Sequence, residues 1–171
     1  LNGSGLAVGR TLVAVLENAG CEALFHEAPL PDHADAIFTH DPALVTDAGA
    51  VVLRMGKAGR RGEEAAIAAT LEALGVPILA ELGGAATAEG GDLLWLDHDT
   101  LAVGRGYRTN AEGLRQLAAA LRPIGVETVE VQLPHGDGPE SCLHLMSFIS
   151  MLDRDLAVVF PPLVPVPLME L

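Results

Sequence analysis

Leu93-Leu94-Trp95-Leu96, then Asp97-His98-Asp99, then Thr100-Leu101-Ala102-Val103: an apolar run, a short Asp-rich break, and a second largely apolar run. That order predicts a β-hairpin. Two other stretches read the same way. Ala43-Leu44-Val45 and Ala50-Val51-Val52-Leu53 flank Thr46-Asp47-Ala48-Gly49. Phe148-Ile149-Ser150-Met151-Leu152 and Leu156-Ala157-Val158-Val159-Phe160 flank Asp153-Arg154-Asp155. The turns, near Asp47, His98 and Arg154, recur roughly every 50 residues, a period that predicts repeated modules. An ordinary α+β domain is the plainer alternative.

The segments between the hairpins complete the unit. Helical apolar spacing covers Gly9 to Ala19, Arg61 to Leu74 and Asn110 to Leu121, with stops at Gly20, Gly75 and Pro123-Gly125. Thr109 and Glu112 are spaced as a capping box and place the start of the third helix. Short strands fit at Glu22 to Phe25, Pro77 to Leu79 and Thr128 to Val131. The expected architecture is therefore α/β, built from repeated modules.

Composition narrows the class. The chain has 171 residues, half of them hydrophobic and 19% charged, which argues against disorder. Ten Lys and Arg against 23 Asp and Glu give a net charge of −13, which argues against nucleic acid or an anionic membrane as partner. Two cysteines, Cys21 and Cys142, make neither a disulfide framework nor a zinc motif. No apolar run is long enough for a membrane span, no signal peptide is visible, and a cytoplasmic location is the expectation. The chain begins at Leu1 and ends in the apolar stretch Pro161 to Leu171. It reads as a partial domain, residues 1–171, truncated at both ends.

One polar residue stands shortly before each hairpin: Asp41, Glu89 and His144, 48 and 55 residues apart. Modules packed around an axis would turn two carboxylates and an imidazole towards one pocket. Each has a bland reading beside the chemical one. Asp41-Pro42 is also a common turn. Glu89-Gly90-Gly91-Asp92 combines acids with glycines that permit close backbone approach, or simply bend. His144 in Cys142-Leu143-His144-Leu145-Met146-Ser147 also suits a core histidine. Arg108 stands at a helix entrance, and Arg60-Arg61 at a helix N-terminus, where cations oppose the helix dipole. Asp97-His98-Asp99 has metal-type residues but no third ligand at a recognised spacing and reads as a turn; Gly104-x-Gly106 lacks the third glycine of a dinucleotide fingerprint.

In this order, Phe38-Thr39-His40-Asp41-Pro42, Arg60-Arg61-Gly62-Glu63, Glu89-Gly90-Gly91-Asp92, Arg108-Thr109-Asn110 and Leu143-His144-Leu145-Met146-Ser147 resemble the guanidino-group modifying enzymes of the pentein superfamily. The branch they most resemble is the dimethylarginine dimethylaminohydrolases. The resemblance runs from about Asp35 to Val159. It implies a five-bladed α/β propeller of ββαβ modules, about three of them in this chain. It also implies a cysteine-dependent hydrolase of arginine metabolism. The substrate would be a substituted guanidine such as dimethylarginine, and the products an amine and citrulline, through a covalent thiouronium intermediate. Asp41 and Glu89 would hold the guanidinium, Asp35 one of its nitrogens, and Arg108 and Arg60 (or Arg61) an α-carboxylate. His144 would protonate the leaving amine, with Glu89 assisting the proton transfer. No metal or organic cofactor is implied, and a homodimer is left open.

Three features depart from the pattern. The family nucleophile lies far beyond the histidine, past the end of this sequence, so the chain alone is expected to be inactive; Cys142 and Cys21 read as small core residues. His40 stands where relatives carry Arg or Glu. Met146 stands where arginine deiminases and amidinotransferases carry an Asp, which favours a substituted guanidine. Arginine deiminase or amidinotransferase chemistry is the rival reading, and a non-catalytic guanidine-binding module the next.

Overall fold

The computed structural model describes residues 8–24, 26, 29–141 and 143–170. It opens with α1 (Val8–Asn18), and the described residues 22–24, expected to begin a strand, are irregular. Phe25 and Cys142 lie outside the described residues.

The first hairpin forms where its sequence places it. β1 (Ala43–Thr46) and β2 (Gly49–Val52) pair antiparallel, with Ala43 opposite Val52. The chain then crosses through α2 (Glu63–Ala73) and returns as β3 (Ile78–Glu81), parallel to β2. The second module repeats this. β4 (Leu93–Trp95) and β5 (Thr100–Arg105) are antiparallel, α3 (Ala111–Leu121) crosses over, and β6 (Glu127–Gln132) lies parallel to β5. The third hairpin is β7 (Ile149–Asp153) and β8 (Leu156–Val159), and a short α4 (Val166–Met169) follows. Two full ββαβ modules and the hairpin of a third are present, which is the repeat expected from the sequence.

Strand alternation explains how the modules join. Successive residues of β5 point to opposite faces. Leu101 and Val103 are buried with Val51, Leu53, Leu117 and Leu121, joining the first module to the second. Ala102 is buried on the other face with Leu94, Val131, Leu145 and Phe148, joining the second to the third. A leucine buried this fully contributes about 1.5–3 kcal/mol, so both seams are strong.

Two local expectations are corrected. The cap of α3 is Asn110, not Thr109: Asn110 Oδ1 accepts the Gly113 N–H at 2.8 Å. Glu112 instead pairs with Arg115, and Thr109 turns inward to Asp92. α2 begins at Glu63 rather than Arg61, so Arg60 belongs to the 3₁₀ turn Ala58–Arg60 that precedes it.

Candidate active site

The loops leading into the three hairpins meet on one side of the module seams. They enclose a cavity of about 670 Å³ lined by Asp41, Glu89 and His144 together with Asp35, Lys57, Arg60 and Arg108. Ile37, Phe38 and Met146 supply apolar wall.

Glu89 is fully buried at its floor. Oε1 accepts the backbone N–H groups of Gly56 and Lys57, each at 2.9 Å, and lies 3.6 Å from Arg108 Nη1. Oε2 meets His144 Nε2 at 2.8 Å. Burial would raise the carboxyl pKa, but the His144 bond, the Lys57 N–H and the Arg108 charge together hold it below its ordinary value. His144 behaves in the opposite sense. Burial would lower its pKa, yet the bond to Glu89 and the charges of Asp92, Glu89 and Asp41 raise it. The imidazole is fixed in place as well. In its neutral form the ring accepts the Ser147 N–H, and in either form Ser147 Oγ accepts the His144 N–H at 3.0 Å. A Cβ on Gly91 would come within 2.7 Å of the ring, and one on Gly90 within 2.1 Å of the His40 carbonyl. Only glycines allow these loops to lie so close.

Asp41 has both oxygens engaged: Oδ1 accepts the Gly91 N–H at 2.9 Å and Oδ2 holds Arg60 Nη1 at 2.6 Å. Arg60, expected to meet a substrate carboxylate, is 4% exposed and bound from three sides. Glu63 takes Nε and Nη2, Asp41 takes Nη1, and the Phe38 carbonyl takes Nη2. Those ion pairs account for a cation near the start of α2 without a ligand. Arg61 hydrogen-bonds the Met55 carbonyl and does not line the cavity. Arg108, expected to meet an α-carboxylate, lines the cavity and is buried against Glu89. Asp35 lies at the mouth in an exposed ion pair with Lys57, 2.5 Å.

Sequence reasoning missed Lys57 and Asp92. Asp92 is fully buried, and burial pushes its carboxyl pKa up to about 6. Its Oδ1 accepts the Leu145 N–H at 3.0 Å and its Oδ2 the Thr109 hydroxyl at 2.6 Å. The pattern repeats that of Asp41. Each aspartate precedes the first strand of its module. One oxygen takes a backbone N–H from the next module's lead-in, and the other a donor from the crossover loop of its own module. The module-one counterpart of Asp92 is thus Asp41, while Glu89 stands three residues earlier. The signal was present: Asp41 and Asp92 precede their strands by two residues and one.

No group of three or more His, Cys, Asp or Glu among the described residues is placed to hold a metal ion. No described helix is long and apolar enough to cross a membrane.

The chain is 36% identical over 141 residues to an N(G),N(G)-dimethylarginine dimethylaminohydrolase of Streptomyces coelicolor, covering 81% of the chain and 51% of that protein. It is 32% identical over 121 residues to the enzyme of that name from Pseudomonas aeruginosa, covering 71% and 45%. The chain spans about half the length of these curated relatives. The structure of DDAH from P. aeruginosa, a cysteine-to-serine mutant complexed with citrulline, superposes with a TM-score of 0.70 at 28% identity, covering 83% of the chain and 53% of its own. The N-terminal domain of a cyanobacterial arginine dihydrolase shares the fold, with a TM-score of 0.78 at 23% identity over 95% and 57% of the two chains. The family model for arginine deiminase matches residues 12–169. The chain belongs to the arginine deiminase family, a pentein fold.

Proposed function

We propose that the protein hydrolyses a substituted guanidine, with N-methylated arginine as the substrate class, releasing an amine and citrulline. The observation that carries the reading is the Glu89–His144 contact of 2.8 Å on the floor of a cavity that also holds Asp41 and Asp35. A guanidinium is a planar cation that carboxylates bind through paired N–H donors. Glu89 and Asp41 face its nitrogens, and Asp35 receives one at the mouth. Arg108 provides positive charge for a substrate carboxylate. A thiolate adds to the central carbon, the C–N bond to the amine breaks, and His144 delivers the proton that the amine takes away. The thiouronium is then hydrolysed by water that gives a proton back to His144.

Among the described residues the one cysteine, Cys21, is exposed rather than in the core as expected, because the segment around it forms no strand, and it does not line the cavity. The thiolate is assigned to the half of the relatives' length that this chain does not span. On this reading the chain alone releases no citrulline from dimethylarginine.

Arginine deiminase is the second reading, favoured by the family model and by 28% identity over 164 residues to an arginine deiminase of Lactococcus lactis. Met146, beside His144, and the apolar wall of Ile37 and Phe38 favour an alkylated nitrogen over a free one. The products decide: dimethylamine from dimethylarginine, or ammonia from arginine. In the intact protein, Glu89→Gln and His144→Ala should each reduce kcat/KM by ~10²–10⁴-fold. Near-normal kcat/KM in either variant refutes the assigned roles.

A further inference from the structure

Asp92 is a buried carboxylate that the proposed reaction does not use. It lines no part of the cavity. Among the described residues it has no direct cationic partner at hydrogen-bond distance; its contacts there are the Leu145 N–H and the Thr109 hydroxyl. An aspartate serving only to join two loops could be an asparagine, whose burial is far less unfavourable.

Its position suggests what the charge does. Leu145 follows His144, so the bond from Leu145 N to Asp92 Oδ1, 3.0 Å, fixes the backbone that carries the imidazole. Thr109 follows Arg108, so the bond from Thr109 Oγ1 to Asp92 Oδ2, 2.6 Å, fixes the backbone that carries the guanidinium. Thr109 Oγ1 in turn accepts the Glu89 N–H at 3.2 Å. One side chain therefore reaches the segments bearing all three groups: His144, Arg108 and Glu89. The equivalent aspartate of the first module, Asp41, has an arginine on its second oxygen, where Asp92 has only a hydroxyl. The negative charge of Asp92 is left for the imidazole to balance.

We propose that Asp92 is a positioning residue for this site: it clamps the His144 and Arg108 loops together and supplies a buried negative charge that favours the imidazolium over the neutral ring. The inference rests on the proposed hydrolysis for its kinetic consequence but not for its electrostatic one. Among the described residues, the carboxylates whose charges act on His144 include Asp92, Glu89 and Asp41 from the other two lead-ins, with Arg108 on the far oxygen of Glu89.

The test uses Asp92→Asn, which keeps the shape and an acceptor for Leu145 but removes the charge. In the intact protein, NMR titration of His144 should show its midpoint at lower pH than in the unsubstituted protein. Turnover of dimethylarginine, followed as citrulline, should lose at least tenfold in kcat with KM within about threefold. The high-pH limb of the kcat profile should move the same way as the midpoint. An unmoved midpoint in a folded Asp92→Asn protein overturns the proposal. If the variant does not fold, Thr109→Val and Thr109→Ser decide. Loss of the hydroxyl should lower kcat, and the serine should restore it; equal, normal kcat in both overturns the clamp. A protein that turns over no guanidine refutes the hydrolysis, and the His144 titration then still decides on the charge of Asp92.

Discussion

Lys57 is the single lysine of the chain, and its ammonium occupies Asp35 at the cavity mouth. Its backbone N–H is held by Glu89, so the residue is anchored while its side chain is free to leave. The hydrogen bond and charge of Lys57 hold the Asp35 pKa below its ordinary value, which keeps that carboxylate ionised. A cationic substrate using Asp35 must displace the ammonium. Exposed ion pairs are weak, so the competition is modest. If the intact protein hydrolyses dimethylarginine as proposed, Lys57→Met in it should lower KM roughly two- to fivefold with kcat unchanged. A rise in KM would instead make Lys57 a ligand of the substrate. Gly91→Ala acts by shape alone. The new methyl would sit 2.7 Å from the His144 ring and push it off Glu89. Loss of kcat should approach that of His144→Ala, ~10²-fold or more, with the fold retained by circular dichroism.

At the scale of elements, the connection into α3 joins site to scaffold. Asn110 Oδ1 accepts from Gly113 N at 2.8 Å and from Thr87 N at 3.2 Å, and Nδ2 donates to the Ala85 carbonyl at 2.8 Å. A lost N-cap costs about 1 kcal/mol, and the two loop bonds add about as much again. Asn110→Ala should therefore destabilise by about 2 kcal/mol in urea unfolding, and Asn110→Asp by less, because it keeps the cap and loses one donor. The cap also shows where sequence reading stops. Thr109 and Glu112 have capping-box spacing, yet Thr109 is drawn inward by Asp92, a tertiary partner that no local pattern reveals. Hairpins and crossover helices were legible because periodicity and turn residues are local signals. Glu89 and His144 were legible as a pair because the repeat brings corresponding loops together. The ion pairs of Arg60 were not legible, because its partners, Asp41 and Glu63, become neighbours only after α2 folds back on the Asp41 loop.

At the scale of the whole molecule, one buried carboxylate sets how stability responds to pH. Asp92 in the folded protein titrates at about 6, against 3.8 for an ordinary aspartate. Between those values the folded form keeps a proton that the unfolded chain has released. Stability is then highest below about pH 4 as far as this group is concerned, and falls as pH rises through about 6. A displacement of this size corresponds to about 3 kcal/mol in total. The imidazolium of His144, its pKa raised by the same charge among others, is lost in the same direction as pH rises. Asp92→Asn removes the carboxyl titration and weakens the His144 contribution, so both changes have one sign. The variant should gain on the unsubstituted protein as pH rises from 4.5 to 8, by roughly 6–12 °C in Tm for a domain of this size. Thermal melts of both proteins across that range measure it. A difference in Tm that stays constant with pH would mean that Asp92 is ionised in the folded state down to ordinary aspartate values, with its charge balanced inside the fold. The proposed role at His144 gives the gain a functional counterpart: the pH range in which the asparagine protein is the more stable is the range in which it should be the slower enzyme.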